Sequence, residues 1–188
     1  MTQATHNDVN LEKLKATDAA IRANPGLEKL TIKAKSTWHR GTMTQVTLSE
    51  WYAGGHKMTP APRRFTIMVD EPSDLGGGDA APFPIEVVLA ALAGCVTNGT
   101  ATNAAMFGVP LDGIEMEMEA HMDARGMLGH DKSVRNGITD INYTITVTSP
   151  ASEDKVRKCK ETIDRKSAVR DTLANPVNIT SKFIYKPS

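Results

Sequence analysis

The chain has 188 residues, of which 40% are hydrophobic and 23% charged, enough apolar material for a packed domain and too much for wholesale disorder. Its 22 basic and 22 acidic side chains balance, so the positive excess that holds a phosphate backbone or an anionic membrane surface is missing, and neither is an expected partner. Two cysteines, Cys95 and Cys159, are too few for a disulfide scaffold, and five scattered histidines without HxxxH or HExxH spacing offer no metal site.

The first ten residues are polar and lack the apolar stretch of a secretory signal. The longest apolar run, Ile85 to Val96, is shorter than the ~20 residues of a membrane span, so a soluble, cytoplasmic protein is expected. Residues 8–23 carry a weak helical pattern through Leu11, Leu14 and Ile21, which Asn24-Pro25-Gly26 stops. This punctuation divides an N-terminal helical arm, residues 1–26, from a single domain, residues 27–188. Two strands, Leu30 to Trp38 and Met43 to Tyr52, flank a tight turn at Arg40-Gly41-Thr42. A Gly/Pro-rich loop from Gly54 to Pro62 and a third strand, Arg64 to Val69, follow. The long loop Asp70 to Pro84 contains Gly76-Gly77-Gly78, which no Lys-Ser/Thr follows, so it is not a phosphate-binding loop.

Pro84 opens the run IEVVLAALAGCVTNGTATNAAMF, and Gly108 and Pro110 close it, the expected punctuation of a helix. At about 24 residues it would be roughly 36 Å long, and its apolar first half predicts burial on all sides. From Ile114 to Met122, apolar residues alternate with Glu115, Glu117, Glu119 and His121, which is a half-buried strand. Its methionine stripe reads as core rather than as a soft metal site. A polar loop, Ala124 to Asn136, leads to a second alternating strand, Ile138 to Val147. Ser152 to Leu173 reads as one helix with Val156, Cys159 and Ile163 on its apolar face, and Val177 to Tyr185 as a closing strand. Antiparallel hairpins with helices between them predict an α+β fold.

The string PFPIEVVLAALAGC, the helix after it, and GVPLDGIEMEMEAHMD closely resemble the OsmC/Ohr family. Upstream, FTIMVDEPSDLGGGDAAP resembles the strand and glycine loop before the family's central helix. Downstream, SAVRDTLANPVNI resembles its second cysteine segment, and the resemblance spans about residues 30–186. It implies an OsmC-like fold with antiparallel sheets wrapped around long central helices in an intertwined homodimer. It also implies active sites at the subunit interface, each holding two cysteines, an arginine and a glutamate, and no bound cofactor.

In such a site a thiolate attacks the terminal peroxide oxygen, expels an alcohol and becomes a sulfenic acid. A guanidinium lowers the thiol pKa, and a carboxylate holds the guanidinium. Cys95 matches the reactive cysteine by its place in LAALAGC. The usual second cysteine is Ser167, whose plainer reading is a helix cap or a satisfied core hydroxyl. Cys159 lies eight residues earlier, roughly 12 Å along a helix, too far to replace it, and reads as core. The position of the family's glutamate holds Ile85, and Glu86 stands one residue on, about 100° round the helix; as a plain reading, it is a surface residue near the helix start. Arg40 in the first hairpin matches the arginine, its plain reading being an exposed turn residue, with Arg63 and Arg64 as alternatives.

The resemblance thus implies thiol-dependent reduction of organic hydroperoxides through Cys95, with an external thiol resolving the sulfenic acid. Two other readings stay open: an OsmC-fold protein without peroxidase activity that binds a small apolar ligand at the dimer interface, motivated by Ile85 and Ser167, and a redox sensor.

Overall fold

A computed structural model of the chain describes residues 5–58 and 63–187; the first four residues of the arm and residues 59–62 of the Gly/Pro-rich loop lie outside the described residues. The arm begins as a small hairpin, β1 (Thr5–His6) and β2 (Val9–Asn10), followed by helix α1 (Leu11–Ala23). Asn10 caps α1 by accepting the Lys13 amide. Asn7 ties the arm to the body: its side chain donates to the Val109 carbonyl at 2.9 Å and accepts the Leu111 amide at 3.0 Å.

Strands β3 (Leu30–Arg40) and β4 (Met43–Ala53) form a long antiparallel hairpin. The other edge of β4 pairs with the short β5 (His56–Lys57) and with β6 (Phe65–Val69). Every residue of β3 is exposed within one chain, Ile32 and Trp38 to 76% and 70%, so this edge strand has no cover of its own. The loop after β6 contains one tight helical turn at Ser73–Leu75.

Helix α2 (Pro84–Phe107) runs 24 residues, with Pro84 in its first turn and Gly108 closing it at φ +67°. It continues well past the run Ile85 to Val96, because Asn98, Thr100, Thr102 and Asn103 are tolerated in the helix: Thr100 and Thr102 satisfy their hydroxyls on the carbonyls four residues back. At that length, and with a mean hydropathy of 1.4 over its most apolar stretch, α2 meets the length and composition of a membrane span. One face of it joins the core, but only 17% of that stretch is buried within one chain, so the expected burial of its first half on all sides is not found. Leu92 and Val96 join Ile163 in the main cluster, against Met116, Met118, Ile141, Tyr143 and Ile145.

Those partners come from β7 (Gly113–His121) and β8 (Asp140–Thr148), which pair antiparallel with Met116 opposite Ile145 and Met118 opposite Tyr143. Burial alternates along β8 and, from Ile114 on, along β7, so the methionines line the core and the glutamates face out. A short helix, α3 (Ala124–Met127), interrupts the polar loop between them.

The expected helix Ser152 to Leu173 is two helices, α4 (Glu153–Lys166) and α5 (Ala168–Ala174). Ser167 divides them with extended backbone, φ −67° and ψ 114°. The reason is local capping: the Ser167 amide closes α4 on the Ile163 carbonyl at 2.7 Å, and its hydroxyl accepts the Arg170 amide at 3.1 Å to open α5. The expected closing strand is also revised. Val177 to Tyr185 pairs with no other strand among the described residues, and Ile179 and Phe183 are each 87% exposed. A strand needs a neighbour to accept its backbone bonds, and one copy of the chain supplies none here.

Candidate active site around Cys95

Helices α2 and α4 run antiparallel in a register that repeats every four residues. Near the C-terminal end of α2, Asn103 donates its side-chain amide to the Cys159 carbonyl at 3.2 Å. One turn earlier, Gly99 faces Ile163; a Cβ added there would lie 2.1 Å from Ile163 Cδ1. One turn earlier again, Ser167 donates its hydroxyl to Cys95 Sγ at 3.1 Å. The close approach at Gly99 lets the helices meet, and stepping by four residues per turn carries the contact to the sulfur.

Cys95 is half-buried, whereas Ser167 is almost fully buried. The Ser167 hydroxyl is engaged both ways: it accepts from the Arg170 amide and donates to the sulfur. Cys159 occupies a different place, fully buried with Ala104 and Val109, its thiol directed to the Lys155 carbonyl. Burial raises its pKa above the ordinary thiol value.

Ile85, Val88 and Leu92 follow one face of α2, and Cys95 is the next residue on that face, one turn on. The first three line a groove of about 430 Å³ closed on the other side by Ile141 and Leu173. Two exposed guanidiniums, Arg135 and Arg170, stand in its lining with Tyr143. Asp164 organises this end. It accepts the Tyr143 hydroxyl at 3.0 Å and pairs with Lys160 at 2.6 Å, while its carbonyl accepts Arg170 Nη1 at 3.0 Å. Burial, and then the bond to Asp164, raise the Tyr143 pKa, so the hydroxyl stays protonated at neutral pH.

The four residues expected at the site divide into a pair brought together, Cys95 with Ser167, and two placed elsewhere within one chain. Glu86 is exposed and its carboxylate accepts the Phe83 amide at 2.8 Å, closing the first turn of α2. Arg40 sits exposed in the β3–β4 turn, paired in register with Met43. Neither reaches Cys95 or Ser167 by a hydrogen bond among the described residues. Of the alternatives, Arg63 lies over the Phe65 ring, 4.7 Å from its centroid, and donates to the Ser49 carbonyl. Sequence reasoning passed over Arg170 and Asp164. The signal for Arg170 was its position three residues after a serine that caps a helix. Among the described residues no group of three or more His, Cys, Asp or Glu side chains is arranged to hold a metal ion.

A family profile described as OsmC-like protein matches residues 76–182, a stretch that holds α2, Cys95, both strands of the second sheet and Ser167. The chain belongs to the OsmC-like family. Solved structures agree on the fold. An OsmC-like protein from Mycoplasma pneumoniae is 16% identical with a TM-score of 0.55, over 78% of this chain and 87% of that one. An OsmC-like protein of unknown function from Vibrio cholerae is 12% identical with a TM-score of 0.53, over 76% of this chain and 92% of that one. No protein with a curated description matches the chain.

Proposed function

We propose that this OsmC-like protein reduces organic hydroperoxides with thiols, using Cys95 as the only redox-active thiol of the chain. The observation that carries this reading is the 3.1 Å contact between Ser167 Oγ and Cys95 Sγ. It keeps the two-residue arrangement that the family resemblance implies, with oxygen in place of the second sulfur. The Cys95 thiolate attacks the terminal oxygen of ROOH; the O–O bond breaks, the alkoxide takes a proton and leaves as ROH, and Cys95 becomes a sulfenic acid. Ser167 cannot condense with it. An external thiol R′SH does so, releasing water and forming a mixed disulfide, and a second R′SH regenerates Cys95 as R′SSR′ departs. The Ser167 hydroxyl serves as a hydrogen-bond donor that favours the thiolate over the thiol. The groove of Ile85, Val88 and Leu92 suits the hydrocarbon part of the peroxide, which makes an organic substrate a better fit than hydrogen peroxide.

The working unit in this reading is a homodimer. Three exposed features support it: strand β3, the extended segment Val177 to Tyr185, and α2, of whose most apolar stretch only 17% is buried within one chain. A second copy covers these surfaces and brings Arg40 to the sulfur, where a guanidinium stabilises the thiolate and the departing alkoxide.

The test is turnover of cumene hydroperoxide with dithiothreitol. Wild type turns over, Cys95→Ser does not, and the Cys95 sulfenic acid is trapped by dimedone when reductant is withheld. Equal turnover by wild type and Cys95→Ser refutes the peroxidase. One observation favours a second reading, a binding protein for small apolar ligands: Ile85 puts hydrocarbon in the groove where the family resemblance expects a carboxylate. A Cys95 thiol pKa at or above the ordinary ~8.5, measured by pH-dependent alkylation, selects that reading.

A further inference from the structure

We propose that Asp70 and Thr42 together form the device that positions Arg40, so that Asp70 is a positioning residue for the peroxide chemistry; the inference rests on the reading of Arg40 given above. Asp70 follows the last residue of β6 and is only 2% exposed. Its carboxylate bridges two pieces of chain. One oxygen accepts the Thr42 hydroxyl at 2.5 Å and the Glu71 amide at 2.9 Å. The other accepts the amides of Gly78 and Ala80, each at 3.2 Å. The Asp70 amide donates to the Pro82 carbonyl at 3.2 Å, so the loop returns to this residue just before α2 begins.

The glycines make that wrapping possible. A Cβ on Gly77 would lie 1.8 Å from the Glu71 carbonyl oxygen, and one on Gly78 would lie 3.0 Å from the Asp70 carboxylate. On the hairpin side, Thr42 is two residues from Arg40, and Gly41 between them is held by Trp38 Nε1, which donates to its carbonyl at 2.9 Å. The turn that carries Arg40 is therefore fixed at both ends. No cation among the described residues pairs with Asp70, and the hydroxyl and three amides alone hold the buried charge. A fully satisfied network of this kind rigidifies what it binds, and here it ties the arginine-bearing turn to the loop that launches the cysteine-bearing helix.

The test compares Arg40→Ala, Thr42→Val, Thr42→Ser, Asp70→Asn and the double variant Arg40→Ala/Thr42→Val. Two quantities are read: the rate constant for Cys95 oxidation by cumene hydroperoxide, and the Cys95 thiol pKa from alkylation against pH. Arg40→Ala is expected to raise the thiol pKa by about one and slow oxidation about tenfold. Thr42→Val should lose between about threefold and tenfold through misplacement of the guanidinium, with Thr42→Ser within about twofold of wild type because it keeps the donor. The double variant should be no slower than Arg40→Ala alone, since a positioning residue has nothing left to position. Losses that multiply in the double variant, or wild-type oxidation by Thr42→Val, overturn the proposal while leaving Arg40 at the site. If Thr42→Val does not fold, Asp70→Asn takes its place in the same cycle. Wild-type oxidation by Arg40→Ala overturns the reading of Arg40 and the proposal with it.

Discussion

Replacing Ser167 by cysteine should turn a thiol that needs an outside partner into one that resolves itself. The two side-chain heavy atoms are already 3.1 Å apart. A disulfide closes at about 2.05 Å, so the gap to take up is roughly 1 Å, part of which the longer C–S bond supplies. The bridge would join residues 72 apart in sequence, and in the chain-entropy treatment a loop of that length stabilises the folded state by about 4 kcal/mol. For a chain of this size that corresponds to a rise in Tm of roughly 10 °C. Cysteine is a poorer cap than serine, so α5 loses about 1 kcal/mol when the Arg170 amide loses its acceptor. That cost is common to both redox states, so the informative comparison is oxidised against reduced Ser167→Cys. One equivalent of cumene hydroperoxide should give an intramolecular bridge, seen as a mass loss of two hydrogen atoms and faster migration on a non-reducing gel. Dimedone trapping, expected in wild type, should disappear. Thiols persisting at both positions 95 and 167 after peroxide, three per chain with Cys159, or cross-linking between chains alone, would refute the claim that Ser167 marks a competent resolving position.

The two native cysteines should separate cleanly. Cys95 reacts with iodoacetamide in the folded protein, while buried Cys159, its pKa raised by desolvation, reacts only after unfolding, as thiol counting by mass spectrometry would show. Gly99→Ala should cost about 1–3 kcal/mol in urea denaturation by driving a methyl into Ile163, and the same change should cost less in an Ile163→Ala background, which lacks the colliding Cδ1 and Cγ1. Asp123, which accepts the amide and guanidinium of Arg125, is held down to about 2 from an ordinary 3.8. A carboxylate lowered on folding stabilises the protein above its unfolded pKa and loses that effect as pH falls through the folded one. The advantage of wild type over Asp123→Asn should thus be constant above pH about 4, shrink between about 4 and 2, and vanish below, as urea midpoints measured across that range would reveal.

How much of this was legible depended on whether the signal was local. Pro84 and Gly108 bracket α2, and both bounds follow from backbone chemistry that one residue dictates. The alternation through Met116 and Met118, and through Ile141, Tyr143 and Ile145, gave β7 and β8 together with their buried faces. The break at Ser167 was legible only in part: a helix cap was the plainer reading of that serine and is what it does, but the helical pattern runs on from α4 into α5 and does not show that one helix becomes two. Glu86 was ambiguous for a similar reason. A carboxylate in the third position of a helix can reach toward a site or back to the cap, and the free Phe83 amide decides for the cap. Val177 to Tyr185 has strand composition without a partner among the described residues, and composition cannot say whose edge a strand joins.

The placement of Cys95 shows how a site can be kept while its chemistry changes. Three contacts of α2, at Asn103, Gly99 and Cys95, are spaced four residues apart along the helix and meet Cys159 and Ile163 of α4 and then Ser167, the residue that caps it, also spaced four apart. Packing fixes the first two, and the Ser167 amide, bonded to the Ile163 carbonyl at 2.7 Å, carries residue 167 one turn further to the sulfur. That is why a serine there remains against the sulfur, and why Cys159, two turns away and sealed in its own cluster, cannot replace the missing thiol. An oxygen at residue 167 keeps a donor against the sulfur and removes the neighbour with which it could form an internal disulfide. In the proposed reaction the lifetime of the sulfenic acid would then depend on how quickly an outside thiol reaches the half-buried Cys95.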